Sequence, residues 1–337
     1  MRVSVIGATG YAGKNLVKLL VNHPVATIKV LTSNQYIGKS YESCFGEFRG
    51  YDLPVLSAHE HVFEVLEELD VVFLALPHGI TMDYVKRLRT SGKLVIDLSG
   101  DYRLTKEEYD LWYQVDHIDE EGLEEAVYGL SEAFGESIEG CRLISNPGCY
   151  PTASLLSLMP LVKEGLIELG SIVIDAKSGV SGAGRTLRTD LLYCEVNESF
   201  RAYAPGTHRH TPEIERYLSD IAGEPVIVQF TPHLIPVHSG LLVSAYATLK
   251  KGVDGKNVEN AFHQFYSEKL FIRIIEGLPE TRWVVGTNFA DIGFSVDKRT
   301  GRVLVFCAID NTIKGAAGQA VQNMNLSLGL EETMGLK

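Results

Sequence analysis

RVSVIGATGYAG, at residues 2–13, constrains the fold more tightly than any other stretch. An apolar run ends on glycines at 7, 10 and 13, and a helical spacing of Leu16, Leu19 and Leu20 follows at once. A strand that turns through glycines straight into a helix is the setting of a dinucleotide-binding turn. Gly7, Gly10 and Gly13 would let the backbone approach a pyrophosphate, and the helix N-terminus would add N–H donors and positive potential. The bland alternative is a tight strand-to-helix turn with no ligand.

The alternation continues. TIKVLTS, LDVVFLALP and KLVIDLSG are further short apolar runs, with helix-like TMDYVKRLRTSG between the last two. Such alternation implies parallel strands with crossover helices. Past residue 149 the texture changes. PVIVQFTPHLIP, GLLVSAYATL, FIRIIEG and RVLVFCAI lie close together, with one clear helix in NVENAFHQFYSEK. A chain of 337 residues favours two domains. The expected architecture is α/β: a Rossmann-type dinucleotide-binding domain over 1–148, completed by a C-terminal helix within 315–337, and an α+β catalytic and oligomerisation domain over 149–314 with a mostly antiparallel sheet.

Cofactor choice should show at the end of the second strand, where an NAD site places a carboxylate on the ribose. Thr32, Ser33, Asn34 and Gln35 stand there, with Lys39 near, so NADP is expected over NAD. Thirty-one basic against 43 acidic side chains give a net charge of −12, which argues against nucleic acid or an anionic membrane as the main partner and leaves room for a local basic pocket. No apolar run has the length of a membrane span. Five scattered cysteines without CxxC pairs fit neither a zinc site nor a disulfide framework; no metal is expected, and a reducing, cytoplasmic setting is.

Cys149 stands apart from the other four. In SNPGCYPTA it follows Asn146, Pro147 and Gly148 on a turn, ahead of the helix-like ASLLSLMPLVKEG. A helix N-terminus favours the thiolate, and N–H groups after Cys149 would help hold an oxyanion. Beside a nicotinamide, such a thiol attacks an activated acyl group, and hydride reduces the thioester to an aldehyde. THRHTPEI supplies proton-transfer candidates: in an extended segment His208 and His210 would share one side, with Glu213 orienting an imidazole. KSGVSGAGR, after the strand SIVIDA, reads as an anion-binding loop. Cys44, Cys141, Cys194 and Cys307 read as packed thiols, and His59 and His61 as solvated.

GATGYAG, SNPGCYPT, KSGVSGAGR, HRHTPE, FTPHLIP and DNTIKGAAGQAVQNMN, in that order, resemble the N-acetyl-gamma-glutamyl-phosphate reductases of arginine biosynthesis across essentially the whole chain. These belong with the semialdehyde dehydrogenases and are similar in layout to glyceraldehyde-phosphate dehydrogenase. The resemblance implies NADPH-dependent reduction of an acyl phosphate, a small-molecule substrate, in a homo-oligomer, either dimer or tetramer. It places the nucleophile on Cys149 and the acid/base on His208 or His210. Gly7, Thr9, Gly10, Tyr11, Ala12, Gly13, Ser33, Pro77, Ser178, Gly179 and Asn311 would hold NADP. Arg103, Asn146, Ser181, Gly182, Arg185 and Lys314 would hold substrate anions. One departure stands out: Ser239 occupies a position where the family usually carries arginine, which bears on acyl-chain preference. Two rivals remain, a lysine-pathway reductase of a carrier-borne aminoadipyl phosphate and a non-catalytic NADP sensor. The first calls for a basic docking surface; the second would not need Cys149, His208, His210 and Glu213 together.

Overall fold

A computed structural model describes residues 1–337. They form two compact units, one of Met1–Pro147 with Ala316–Lys337, the other of Gly148–Gly315.

The first unit carries a six-stranded sheet, parallel throughout: β1 (Arg2–Ile6), β2 (Thr27–Thr32), β3 (Val71–Leu74), β4 (Leu94–Asp97), β5 (Val127–Tyr128) and β6 (Leu143–Ser145), in the order β2-β1-β3-β4-β6-β5. Every residue of β3 and β4 is buried, as a parallel sheet covered on both faces requires. Helices α1 (Tyr11–Leu20), α2 (Thr81–Leu88), α3 (Lys106–Tyr113) and α4 (Ser131–Ile138) join or flank the strands. Strand order reverses beside β1, so its C-terminal end and that of β3 open on the crevice where such sheets bind nucleotides.

The second unit carries a seven-stranded sheet: β7 (Val173–Gly179), β8 (Arg201–Ala202), β9 (Gln229–Ile235), β10 (Leu241–Thr248), β11 (Ile272–Ile274), β12 (Ala290–Asp297) and β13 (Arg302–Ile309), ordered β11-β12-β13-β10-β7-β9-β8. Only β7 with β9 and β11 with β12 pair in parallel. The strand β12 is hard to read in sequence because Asp291 and Gly293 break its apolar run. Both are explained by neighbours: Arg273 of β11 pairs with Asp291 at 2.5 and 2.9 Å, and a Cβ at 293 would lie 2.2 Å from the Gly277 carbonyl oxygen. Lys177, Ser178 and Gly179 complete β7, and only then does a short 3₁₀ turn, Val180–Ala183, begin. The first three residues of the expected KSGVSGAGR loop are therefore strand.

Helix α5 (Cys149–Lys163) packs on β10, β13, α6 (His210–Ala222) and α7 (Gly255–Tyr266). It is buried on all sides from Tyr150 to Val162, which is why its sequence lacks an amphipathic stripe. Pro160 inside it has no N–H for the Leu156 carbonyl four residues back. The Tyr266 hydroxyl of α7 donates to that oxygen at 2.8 Å and repairs the gap. Tyr266→Phe should lower unfolding free energy by about 1–2 kcal/mol in urea titration, with activity per folded molecule unchanged.

The chain returns to the first unit through α8 (Gly318–Ser327), which packs on α4 and α1. Two of its buried amide nitrogens are paired: Gln319 Nε2 donates to the Gly129 carbonyl and Ser131 Oγ at 3.0 and 2.7 Å, and Asn323 Nδ2 to the Gly129 carbonyl and Asn146 Oδ1 at 2.8 and 3.0 Å.

Candidate active site

Cys149 is the first residue of α5. Gly148 occupies the N-cap position in extended conformation and offers no capping side chain, so the helix potential stays available to the thiol. The turn is braced from both ends. Thr152 donates its N–H and its hydroxyl to the Gly148 carbonyl, each at 2.9 Å, and buried Glu213 accepts the Gly148 N–H at 2.8 Å. Glu213, expected to orient an imidazole, thus bonds the backbone behind the thiol. Gly315 lies against Cys149 itself: a Cβ at 315 would stand 2.7 Å from Cys149 Cβ.

His208 and His210 do not lie on one extended segment, because Arg209 has helical dihedrals and His210 opens α6. Pro212 and Glu213 in the first turn explain that start. The rings still meet, 4.8 Å between centroids, and Tyr150 sits edge-on to both at 5.6 and 5.9 Å. Tyr203 and Phe230 enclose His208 further, at 5.4 and 5.5 Å. His208 Nδ1 accepts the His210 backbone N–H at 3.1 Å, which in the neutral ring leaves the proton on Nε2. Burial, with a smaller push from Arg209, lowers the His208 pKa to about 4, so the ring is neutral at pH 7. A cavity of about 320 Å³ lies beside it, lined by Gly182, Arg188, Asp190, Arg201, Tyr203 and His208 among others. Two guanidiniums share one carboxylate there: Arg188 reaches Asp190 at 2.7 and 3.0 Å, and Arg201 reaches it at 2.6 Å.

A polar chain borders the 3₁₀ turn after β7. Asn311 Nδ2 donates to Ser181 Oγ at 2.9 Å, and Asn311 Oδ1 accepts the Gly240 N–H at 2.8 Å. Ser239 Oγ stands 3.3 Å from Ser181 Oγ and 2.8 Å from His238 Nδ1. Ser178 Oγ donates to the Gly179 carbonyl at 3.0 Å, and a Cβ on Gly182 would approach Ser178 Oγ at 2.8 Å. Arg185 is exposed. Lys314, expected on a substrate anion, is fully buried with its ammonium 5.6 Å from the centre of the Phe271 ring, so it cannot reach a ligand in solvent.

In the first unit the glycine turn has the shape its spacing implies. Gly7 adopts φ +84°, and a Cβ there would meet the Ala75 carbonyl oxygen at 2.4 Å. Gly13 sits so close that a Cβ would lie 2.3 Å from the Gly7 carbonyl oxygen. A Cβ at Gly10 would have nothing nearer than 3.7 Å, and α1, running from Tyr11 through Ala12 and Gly13, has no side-chain cap. Thr9 Oγ1 bonds Ser33 Oγ at 2.8 Å at the end of β2. His59, expected in solvent, places Nδ1 2.6 Å from Thr32 Oγ1 at that same end, a contact between residues 27 apart that no local pattern announces. Pro77 follows β3 in the loop whose Gly79 N–H donates to both oxygens of buried Asp101, at 2.8 and 2.9 Å. Asp97 beside it is fully buried, and burial together with the Asp101 charge raises its pKa. Arg103, also buried, donates Nε to the Asn146 carbonyl and Nη2 to the Leu98 carbonyl, both at 2.9 Å. Asn146 is pinned by Asn323 and by its own Nδ2 bond to the Ala316 carbonyl at 3.1 Å.

Cys194, read as packed, is exposed. No group of three His, Cys, Asp or Glu side chains is placed to hold a metal ion, and no helix is long and apolar enough to cross a membrane.

Two family models match the chain: "Semialdehyde dehydrogenase, NAD binding domain" over residues 2–141 and "Semialdehyde dehydrogenase, dimerisation domain" over 149–311. Curated relatives named N-acetyl-gamma-glutamyl-phosphate reductase match from end to end. Those of Campylobacter jejuni subsp. doylei and Clostridium novyi are 47% identical, and that of Alkaliphilus metalliredigens is 48% identical; in each case 100% of this chain and 98% of the relative are covered. Among solved structures, aspartate semialdehyde dehydrogenase II from Vibrio cholerae, complexed with ASA, has a TM-score of 0.74 at 19% identity, covering 96% of this chain and 97% of that one. Aspartate semialdehyde dehydrogenase with NADP from Candida albicans has a TM-score of 0.66 at 18% identity, covering 96% and 98%.

Proposed function

The chain belongs to the semialdehyde dehydrogenase family, among the N-acetyl-gamma-glutamyl-phosphate reductases, and from that membership we propose that it reduces N-acetyl-gamma-glutamyl phosphate to N-acetylglutamate semialdehyde and phosphate, a step of arginine biosynthesis, with NADPH and through a thioester on Cys149. The observation that carries this reading is the thiol at an uncapped helix start, in one unit with two half-buried imidazoles and a cation-lined cavity.

Cys149 gives its proton to His210 as it becomes the thiolate, and the α5 N-terminus stabilises the charge. The sulfur forms a bond to the acyl carbon, and the carbon–oxygen bond to phosphate breaks, with the electron pair leaving on phosphate. Reduced nicotinamide, with its dinucleotide held at the Gly7–Gly13 turn, would supply a hydride to the thioester carbon. The oxyanion formed at the former carbonyl is held by the His208 Nε2–H and by the Cys149 and Tyr150 N–H groups. Collapse of that oxyanion expels the Cys149 thiolate and frees the aldehyde.

The glycine turn suits a dinucleotide on two grounds. The open side of Gly10 and the uncapped N–H groups of α1 form an anion seat, where Thr9, Tyr11, Ala12 and Gly13 would border a pyrophosphate. Ser33 and Thr32 end β2 without a carboxylate, which suits a 2′-phosphate and hence NADP. Ser33→Asp should lower kcat/KM for NADPH by roughly 10–100-fold while lowering that for NADH far less, as steady-state comparison of the two cofactors would show.

The surplus positive charge of Arg188 and Arg201 over Asp190 suits the substrate carboxylate, with the acyl chain lying in the cavity. Arg201→Gln should raise KM for the semialdehyde roughly tenfold or more and leave KM for phosphate near the wild-type value. The dimerisation-family unit supports a homo-oligomer, and the reduced, scattered cysteines support a cytoplasmic setting.

The deciding experiment runs the reaction backwards. Purified protein with NADP, phosphate and N-acetylglutamate semialdehyde should generate reduced nicotinamide only when phosphate is present. No signal from protein that still binds NADPH would overturn the substrate assignment.

A further inference from the structure

A lysine side chain rarely disappears entirely into a protein, because its ammonium loses water that little else replaces. Lys314 does so, with the Phe271 ring as a seat for its charge. It is the second residue of a five-residue π-helix, Ile313–Ala317, a geometry that is rare and concentrated at functional sites. Asp310 holds the entry to this turn. Its Oδ1 accepts the Thr312 N–H at 2.7 Å, the Thr312 hydroxyl at 2.8 Å and the Ile313 N–H at 3.1 Å, while Oδ2 accepts the Gly286 N–H at 2.8 Å. The Gly315 N–H reaches back five residues to the Asp310 carbonyl at 2.9 Å. Immediately after Lys314, the backbone of Gly315 forms a wall against the nucleophile, so close that a Cβ there would lie 2.7 Å from Cys149 Cβ and 3.0 Å from its Cα.

We propose that Lys314 and Asp310 are positioning residues for the thiol: they hold the π-turn so that Gly315 packs on Cys149 and confines its side chain at the start of α5. Lys314 thus acts through Gly315 and does not touch substrate. The proposal rests on Cys149 being the nucleophile. A thiol released from this wall swings away from the helix N-terminus, loses its potential and titrates higher.

The test uses the full chain with Lys314→Met, Phe271→Leu and Gly315→Ala. Three quantities are measured: the pH dependence of Cys149 alkylation by iodoacetamide, corrected with Cys149→Ser for the other thiols; kcat and KM in the reverse reaction; and the melting temperature. In Lys314→Met and Phe271→Leu the alkylation midpoint should rise by about one pH unit and kcat fall roughly tenfold, with both KM values within about threefold of wild type. Gly315→Ala should move the same quantities further. An unchanged alkylation profile and kcat in either of the first two variants, whatever the melting temperature, would reduce Lys314 to packing and overturn the proposal. A rise confined to the phosphate KM would overturn it too, by returning Lys314 to the substrate. If Lys314→Met does not fold, Phe271→Leu and Gly315→Ala decide. Because alkylation needs no substrate, absence of phosphate-dependent turnover in the wild type would count against the proposed reaction and leave this arm standing.

Discussion

Cys149→Ser should lower kcat by roughly 10³-fold or more, about 4 kcal/mol of transition-state stabilisation, while NADPH binding stays within a few-fold. A serine hydroxyl fits the same space on α5 but ionises far less readily than a thiol, and its ester would be a poorer acceptor of hydride than a thioester. The braces on the turn, Thr152 and Glu213, bond the Gly148 backbone and not the Cys149 side chain in these contacts, so they survive the exchange. Pre-steady-state mixing with acyl phosphate should release a burst of phosphate from wild type in the absence of NADPH and none from the variant. A variant with a full burst would remove Cys149 from the reaction.

His208→Asn should cost about 10²–10³-fold in kcat, the range for removing one donor to an oxyanion, with a smaller change in KM. Its pH behaviour separates it from other losses. In the folded chain His208 titrates near pH 4, against an ordinary value of 6.5. Between those values the unfolded chain takes up a proton that the folded chain refuses. Stability from this group is therefore present above about pH 6.5 and is lost as pH falls toward 4, by up to about 3 kcal/mol. Asparagine does not titrate, so the variant should show a shallower acid loss in urea titrations at pH 4.5 and 7. Equal slopes in the two proteins would mean that His208 is not held neutral by the fold.

The sequence makes the layers of the fold legible and the directions of many side chains illegible. The Gly7–Gly13 turn and the strand–helix alternation rest on short-range sterics and period, so the parallel sheet of the first unit can be read from residues alone. Cys149 at a helix start is readable for the same reason, from Gly148 before it and Pro151 just inside. Strand β12 hides because the features that break its pattern, Asp291 and Gly293, answer to Arg273 and Gly277, 18 and 16 residues earlier. Lys314 carries a charge that a linear reading sends to a ligand; in the fold it is buried, with the Phe271 ring, 43 residues away, beside its ammonium. For His210 the signal was present, since Pro212 and Glu213 mark a first helical turn and so exclude an extended segment.

The closing helix also sets an order of events during synthesis. Residues 148–315 run without interruption and leave the ribosome with all their sheet partners, whereas the unit begun by Met1 still lacks α8. Until Gln319 and Asn323 emerge, the Gly129 carbonyl, Ser131 and Asn146 have none of the partners that helix brings. The half of the protein translated first is therefore the last to be sealed, and nascent chains stalled before residue 318 should expose an open nucleotide-binding sheet to proteases and chaperones.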